Sequence, residues 1–523
     1  MMRKNALGIL LVVMSVFFLT AAASAAEKKI LRYGAVPMKS TLDMELNTYN
    51  MVMDISDHIT ETLVRYDDDM NIVPVLVKEL PKPSADGKTY RFELKPGIKF
   101  HDGTTLKASD VKFTFERMFT PSTGALMTSL YTMIEGAPEM LDGKATTLKG
   151  FKVINDNVFE ITLSSPYSPF LACLSASYAS IYPEKACKAA GKDWGLTTFI
   201  GTGPFKAEKI DFDNAVSTVR FDDYHGTKAK LDGIEFVFIE DPNTRRMEYE
   251  RGNIDVMWLD ATIYPEYSKN AKFAPEIREF TPMGTIYVNL NFKFVDDVKV
   301  REAVSLAIDR GVLTRDLMKS TAKEATTFIP PGMMGHDPSA PKYEFNVEKA
   351  KALLAEAGYP DGLELEGIVR NTNATGTLGR TLLSVQNMLA AAGIDLKVTQ
   401  VDPATWTDMR NAGKVPLSIG NWYADFADPD GLITLMESSI SRTLSANYNS
   451  PEYDGLLAEG RLITDAAKRE EIYKKADHLA TRVDYATMPL FHETMYYLTK
   501  PYVKNFKMTP TYVFHFFGAD IVK

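Results

Sequence analysis

"NVEKAKALLAEAGYPDGLELEGIVRNTNATGTLGRTLLSVQNMLAAAGIDLKVTQV" (residues 346–401) switches repeatedly between helical and strand periodicity, and that switching decides the fold. Ala350, Leu353, Leu354 and Ala357 form one helical stripe. Asn346 opens that helix as a cap, Gly358 closes it, and Pro360 stands just beyond. "LELEGIV" (363–369) reads as a strand. The next helix, 377–393, turns Leu378, Leu382, Val385 and Leu389 inward, and "IDLKVTQV" (394–401) alternates Ile394, Leu396 and Val398 as a strand again. "KVPLSIG" (414–420) is a short apolar run that reads as a further, buried strand. Strands alternating with helices predict an α/β domain with a substantially parallel sheet.

Directly behind the last strand comes "NWYADFADPD" (421–430). In open α/β sheets, ligands bind beyond the carboxyl ends of strands, which is where Asp425 falls. Asp428 and Asp430 have a structural reading: Asp428 caps a helix, Pro429 takes its first position, and Asp430 suits the positive end of its dipole. Asp425 has no such reading. It stands between Trp422 and Phe426 with no basic neighbour in sequence, and a carboxylate in apolar surroundings is costly unless a positive group meets it.

Outward from this region, "ILRYGAV" (30–36) is a strand. "MVMDISDHITETLVRY" (51–66) carries Ile55, Ile59 and Leu63 at helical spacing. "KTYRFELKPGIKFHDGT" (88–104) gives a strand, a Pro-Gly turn and a second short strand, then "SDVKFTFERMF" (109–119) a helix. "GFKVINDNVFEITLSS" (150–165) is a hairpin turning at its "NDN". The stretch from 60 to 198, with its own hairpins, thus reads as a separate subdomain. "VKVREAVSLAIDRGVL" (298–313) reads as one helix.

The N-terminus has a basic "MMRK", the apolar "ALGILLVVMSVFFLT" and the small "AAASAA", the pattern of a secretory signal peptide, with cleavage expected after Ala25 and the bond after Ala26 as the alternative. No cysteine stands at the cut, so no lipid anchor is expected there. Removing residues 1–25 takes two of the 59 basic residues, Arg3 and Lys4, and none of the 68 acidic ones, moving the net charge from −9 to −11. That balance argues against nucleic acid and anionic membranes as partners. Cys173 and Cys187 lie close together in sequence, and an oxidising compartment makes a local disulfide the expected state, two free thiols the alternative.

Catalytic and metal patterns are missing. No G-x-S-x-G, P-loop or H-E-x-x-H occurs, and "FHET" (491–494) lacks the second histidine of a zinc motif. The seven histidines form no ligand-spaced pair, and His492 and His515 stand among aromatics as expected core residues. "GTGPF" (201–205) departs from G-x-G-x-x-G, and a close backbone turn is its reading.

The segment 59–118, with "LKPGIKFHDGT" (94–104) and the A-x-D-V-x-F helix start at 108–113, resembles the periplasmic peptide-binding (oligopeptide/dipeptide) family of ABC-importer solute-binding proteins. "GTGPF", "REAVSLAIDR" (301–310), "EKAKALLAEAGYP" (348–360) and "NWYADFADPD" follow in that family's order over nearly the whole mature chain. The resemblance implies a two-lobed, Venus-flytrap α/β architecture. One lobe would comprise 27–62, 199–284 and 494–523, with an extra subdomain at 63–198, and the other lobe 285–493.

For the site, the resemblance implies that Asp425 takes the α-ammonium of a small peptide. Trp422, Tyr423 and Ala424 would pair with its backbone like an added strand. On the other lobe, Thr48, Tyr49 and Asn50 match positions with a similar purpose, and Arg370 would capture the ligand carboxylate, its planar fork suiting that group. The implied role is a periplasmic monomer that delivers peptide to an inner-membrane ABC permease, with no catalysis, cofactor or metal. Nickel chelates, haem, opines or oligosaccharides are the alternative cargoes, and a periplasmic enzyme is the remote alternative.

Overall fold

In the computed structural model, the residues described are 28–523 apart from 39, 68, 260–262, 442–445, 509–510 and 512–513. The signal peptide and its cleavage site lie outside them, as does the side chain of His515.

The opening segment folds as its periodicity predicts. The Asn346 side chain accepts from the Lys349 N–H, the helix runs Val347–Glu356, and Gly358 adopts a φ of 92° just past its end. Strand Leu363–Arg370 pairs in parallel with Ile394–Val401 along its full length, and helix Thr377–Ala391 makes the crossover with Leu382, Val385 and Leu389 buried. Leu417–Tyr423 lies parallel on the other side, touching at Gly367–Leu417.

The rest of that six-stranded sheet corrects the expectation of a substantially parallel one. Leu417–Tyr423 pairs antiparallel with Gly284–Leu290, which pairs antiparallel with Thr487–Glu493, followed by Ala322–Glu324. These strands arrive from distant parts of the chain, so the βαβ window contains only the parallel half. Residues 298–313 also differ from the single helix expected. The helix stops at Leu306, and Asp309 accepts the Val312 N–H at 3.0 Å, capping a new short one.

The second sheet has seven strands, in the order Ile277–Phe280, Met495–Thr499, Val256–Leu259, Ile30–Ala35, Gly233–Phe238, Ala215–Arg220, Phe205–Asp211. Ile30–Ala35 is parallel to both neighbours, and the other pairings are antiparallel. Each sheet forms the centre of one lobe, and the chain passes between them through 281–283 and again at Thr494.

A three-stranded sheet built from Thr89–Glu93, Val158–Thr162 and Phe151–Asn155 belongs to the extra subdomain. Phe92, Phe159 and Phe151 stack through it at 5.0 and 5.1 Å. Its core is continuous with that of the seven-stranded sheet. The subdomain is therefore fused to the first lobe rather than tethered to it.

Cys173 and Cys187 are both buried free thiols, which corrects the expected disulfide. Cys173 faces the Tyr167 hydroxyl at 4.0 Å. Cys187 lies on helix Glu184–Ala190 beside the Arg117–Asp43–Glu45 cluster, and burial pushes its thiol up to about 12. Each sulfur is committed to its own packing environment, so closeness in sequence brings no bond.

Candidate functional site

Helix Asn50–Ile59 of the first lobe is amphipathic, with Val52, Ile55 and Ile59 buried. Its end is held by "GTGPF": a Cβ on Gly201 would lie 2.1 Å from the Ile59 carbonyl oxygen, and Gly203 donates its N–H to that oxygen at 2.9 Å. These glycines permit close backbone approach, as the sequence suggested. Thr202 between them donates to Glu61 at 2.8 Å, and Tyr224 and His225 both meet the same carboxylate at 2.7 Å. With three partners, Glu61 is a structural anchor.

The helix, the segment 60–66, the turn around 175–180 and the end of strand Leu417–Tyr423 enclose a cavity of about 360 Å³. Ligand pockets begin at about this size. Of the residues singled out from sequence, Asp425, Trp422, Tyr423, Ala424, Thr48 and Asn50 line it. Two do not. Tyr49 is 64% exposed and lies outside the cavity lining. Arg370 ends its strand with the guanidinium 5.9 Å from the Trp406 ring, outside the cavity lining.

Trp422 and Tyr423 are fixed from one side by pairing with Thr285 and Gly284. On the other side, the register pair with Leu363–Arg370 is Gly367–Leu417, and among the described residues no strand pairs on that side with Asn421 or Trp422, which line the cavity. An uncovered edge facing a cavity is where an extended peptide can add a strand.

The chain then drops Phe426 into the core of the first lobe. Behind it, Asp428 is clamped by the guanidinium of Arg469 and also accepts the Asp430 N–H at 2.9 Å. Asp430 pairs with Arg461 at 2.9 Å and accepts from the Tyr167 hydroxyl. Both acids are structural, as expected, but the guanidinium groups of Arg469 and Arg461 rather than a helix dipole meet their charge.

Asp425 differs from them. Its partner is the Tyr178 hydroxyl, which donates at 3.2 Å, and among the described residues no Lys or Arg pairs with it. Burial raises its pKa to about 7. Asp57, reaching the cavity from the helix of the first lobe, is similar: the Ser177 hydroxyl donates at 2.9 Å and burial raises its pKa to about 7. Adjacent residues of one turn thus hold a carboxylate from each lobe. Asp57, Ser177, Tyr178 and Arg65 were not anticipated from sequence, because nothing in their local patterns distinguishes them from helix, turn and strand surface.

A cavity flanked by two lobes, lined by under-neutralised carboxylates and an open strand edge, defines a binding protein. The sequence profile of the bacterial extracellular solute-binding proteins, family 5, matches residues 71–442, and the chain belongs to that family. It is 26% identical to the dipeptide-binding protein of Escherichia coli over 475 residues, 86% of each chain. It is 27% identical to heme-binding protein A of Haemophilus influenzae over 495 residues, 89% of this chain and 87% of that one. Among solved structures, the periplasmic binding protein DppA of Helicobacter pylori in complex with the peptide STSA shares its fold with a TM-score of 0.78 at 23% identity, covering 94% of this chain and 98% of that one. HbpA2 of Haemophilus parasuis does so at 0.81 and 24% identity, covering 94% and 100%.

Proposed function

We propose that this protein captures short peptides in the periplasm and delivers them to an inner-membrane ABC permease. The observation that carries this reading is Asp425: a cavity-facing carboxylate beside an open strand edge, with a hydroxyl as partner and, among the described residues, no cation. A peptide's α-ammonium supplies the missing charge, and its backbone supplies the missing strand partner. Relatives named for dipeptides and oligopeptides support the cargo class.

In this reading the chain is exported by residues 1–25, released as a monomer without a lipid anchor, and leaves its cargo chemically unchanged with no cofactor. The lobes are assigned to 27–62, 199–284 and 494–523, with the subdomain 63–198, and to 285–493. Ligand bridging both lobes favours the closed form, which the permease recognises. A relative is named for haem. A cavity lined by three carboxylates and one guanidinium favours a zwitterion over that cargo. Native mass spectrometry of the protein purified from its own periplasm tests the reading. Retained masses of short peptides are expected, whereas retained haem contradicts it.

A further inference from the structure

Arg65 is the one Lys, Arg or His among the described residues that line the cavity. It sits on strand Val64–Tyr66, held opposite Val73 of the neighbouring strand, so its backbone is fixed. Among the described residues its guanidinium makes no ion pair and no hydrogen bond. It lies over the face of Phe517, 5.3 Å from the ring centre. The carboxylates that share the cavity accept from other side chains and not from Arg65. Glu61 is saturated by Thr202, Tyr224 and His225, and Asp57 and Asp425 are bound by Ser177 and Tyr178.

An arginine held over an aromatic face keeps its five N–H donors directed outward from the ring edge. Paired with none of the cavity's own acceptors, it is arranged for a planar anion. Arg370, the candidate from sequence, stands outside the cavity over Trp406.

We infer that Arg65 is the specificity-determining residue that receives the carboxylate of the ligand, making this cavity a site for zwitterions short enough to place both charged ends inside it. The inference rests on the peptide-binding reading and adds the second anchor and the length limit. The carboxyl end lies against Arg65 and Phe517 in the first lobe and its subdomain, and the amino end against Asp425 in the second lobe. Both charges of the ligand therefore pull the lobes together.

Calorimetry with trialanine and trialanine amide tests this on the parent, Arg65→Gln, Arg65→Lys and Arg370→Gln, each checked for folding by its melting curve. Arg65→Gln should bind trialanine roughly 30-fold or more weakly, yet match the parent within about threefold on the amide. Arg65→Lys should recover part of the loss, since it keeps the charge without the fork. Arg370→Gln should follow the parent on both. The inference is overturned if Arg65→Gln binds trialanine like the parent. It is equally overturned if the loss persists on the amide, which marks a packing role against Phe517, or if the amide-cancelled loss appears in Arg370→Gln. A parent that binds neither peptide overturns the peptide reading, and the assignment of Arg65 with it.

Discussion

Asp425 and Asp57 reach one cavity from opposite lobes, and both have pKa values raised to about 7 because protein surrounds them on every side but the cavity. Their partners are the hydroxyls of Tyr178 and Ser177, with no cation among the described residues to hold the charge. Each carboxyl binds a proton more tightly in the folded state than in the unfolded chain, where 3.8 is the ordinary value. Between about pH 4 and 7 the folded state thus holds the extra proton, so these groups lower stability progressively as pH rises through that window. An ammonium ligand acts in the opposite sense, since it requires the ionised carboxylate. Affinity for trialanine should therefore fall as pH drops below about 7, towards tenfold per unit, and fall again above about 8 as the peptide's own amine deprotonates. Calorimetry at pH 5.5 and 7.5 checks this. Asp425→Asn should show a much flatter profile, and an equally steep profile in that variant would locate the titrating group elsewhere.

At the scale of elements, the site depends on how closely two backbones approach. The end of helix Asn50–Ile59 lies against "GTGPF", and a Cβ on Gly201 would meet the Ile59 oxygen at 2.1 Å and the Thr60 Cα at 2.6 Å. Those are backbone atoms with no rotamer to change. Gly201→Ala should destabilise the protein by about 1–3 kcal/mol, the range for overpacking, and weaken trialanine binding by displacing Asp57 and the residues after it. A melting curve and a binding isotherm on that variant decide it; an unchanged melt would mean that the two segments can separate freely. The elements themselves were largely legible. Asn346 and Gly358 bound their helix as capping chemistry requires, and the strand-helix-strand alternation through 401 predicted the crossover. The antiparallel half of the sheet was not legible, because strand Gly284–Leu290 finds its partners roughly 130 and 200 residues away, a pairing that local periodicity does not encode. Asp309 shows the reverse case, a cap hidden inside a run that kept its helical spacing.

Across the whole molecule, the division into two lobes followed from resemblance more than from pattern, and the site residues divided the same way. Asp425 was legible because its flanking rings and lack of a basic neighbour raised a charge problem that a capping role did not answer. Arg65 and Arg370 were indistinguishable as single arginines at strand positions, and only the assembled cavity separates them. The disulfide expectation failed for a related reason: sequence proximity of Cys173 and Cys187 carries no information on which way each side chain packs. What the two lobes do together comes down to the charge between them. The Asp425 carboxylate either receives the ammonium of the ligand or it does not. Calorimetry of the parent and Asp425→Asn with trialanine and N-acetyl-trialanine measures this. The parent should bind trialanine roughly 30-fold or more tightly than the variant does, and the two proteins should bind the acetylated peptide about equally. A parent that holds the acetylated peptide as tightly as the free one would contradict it.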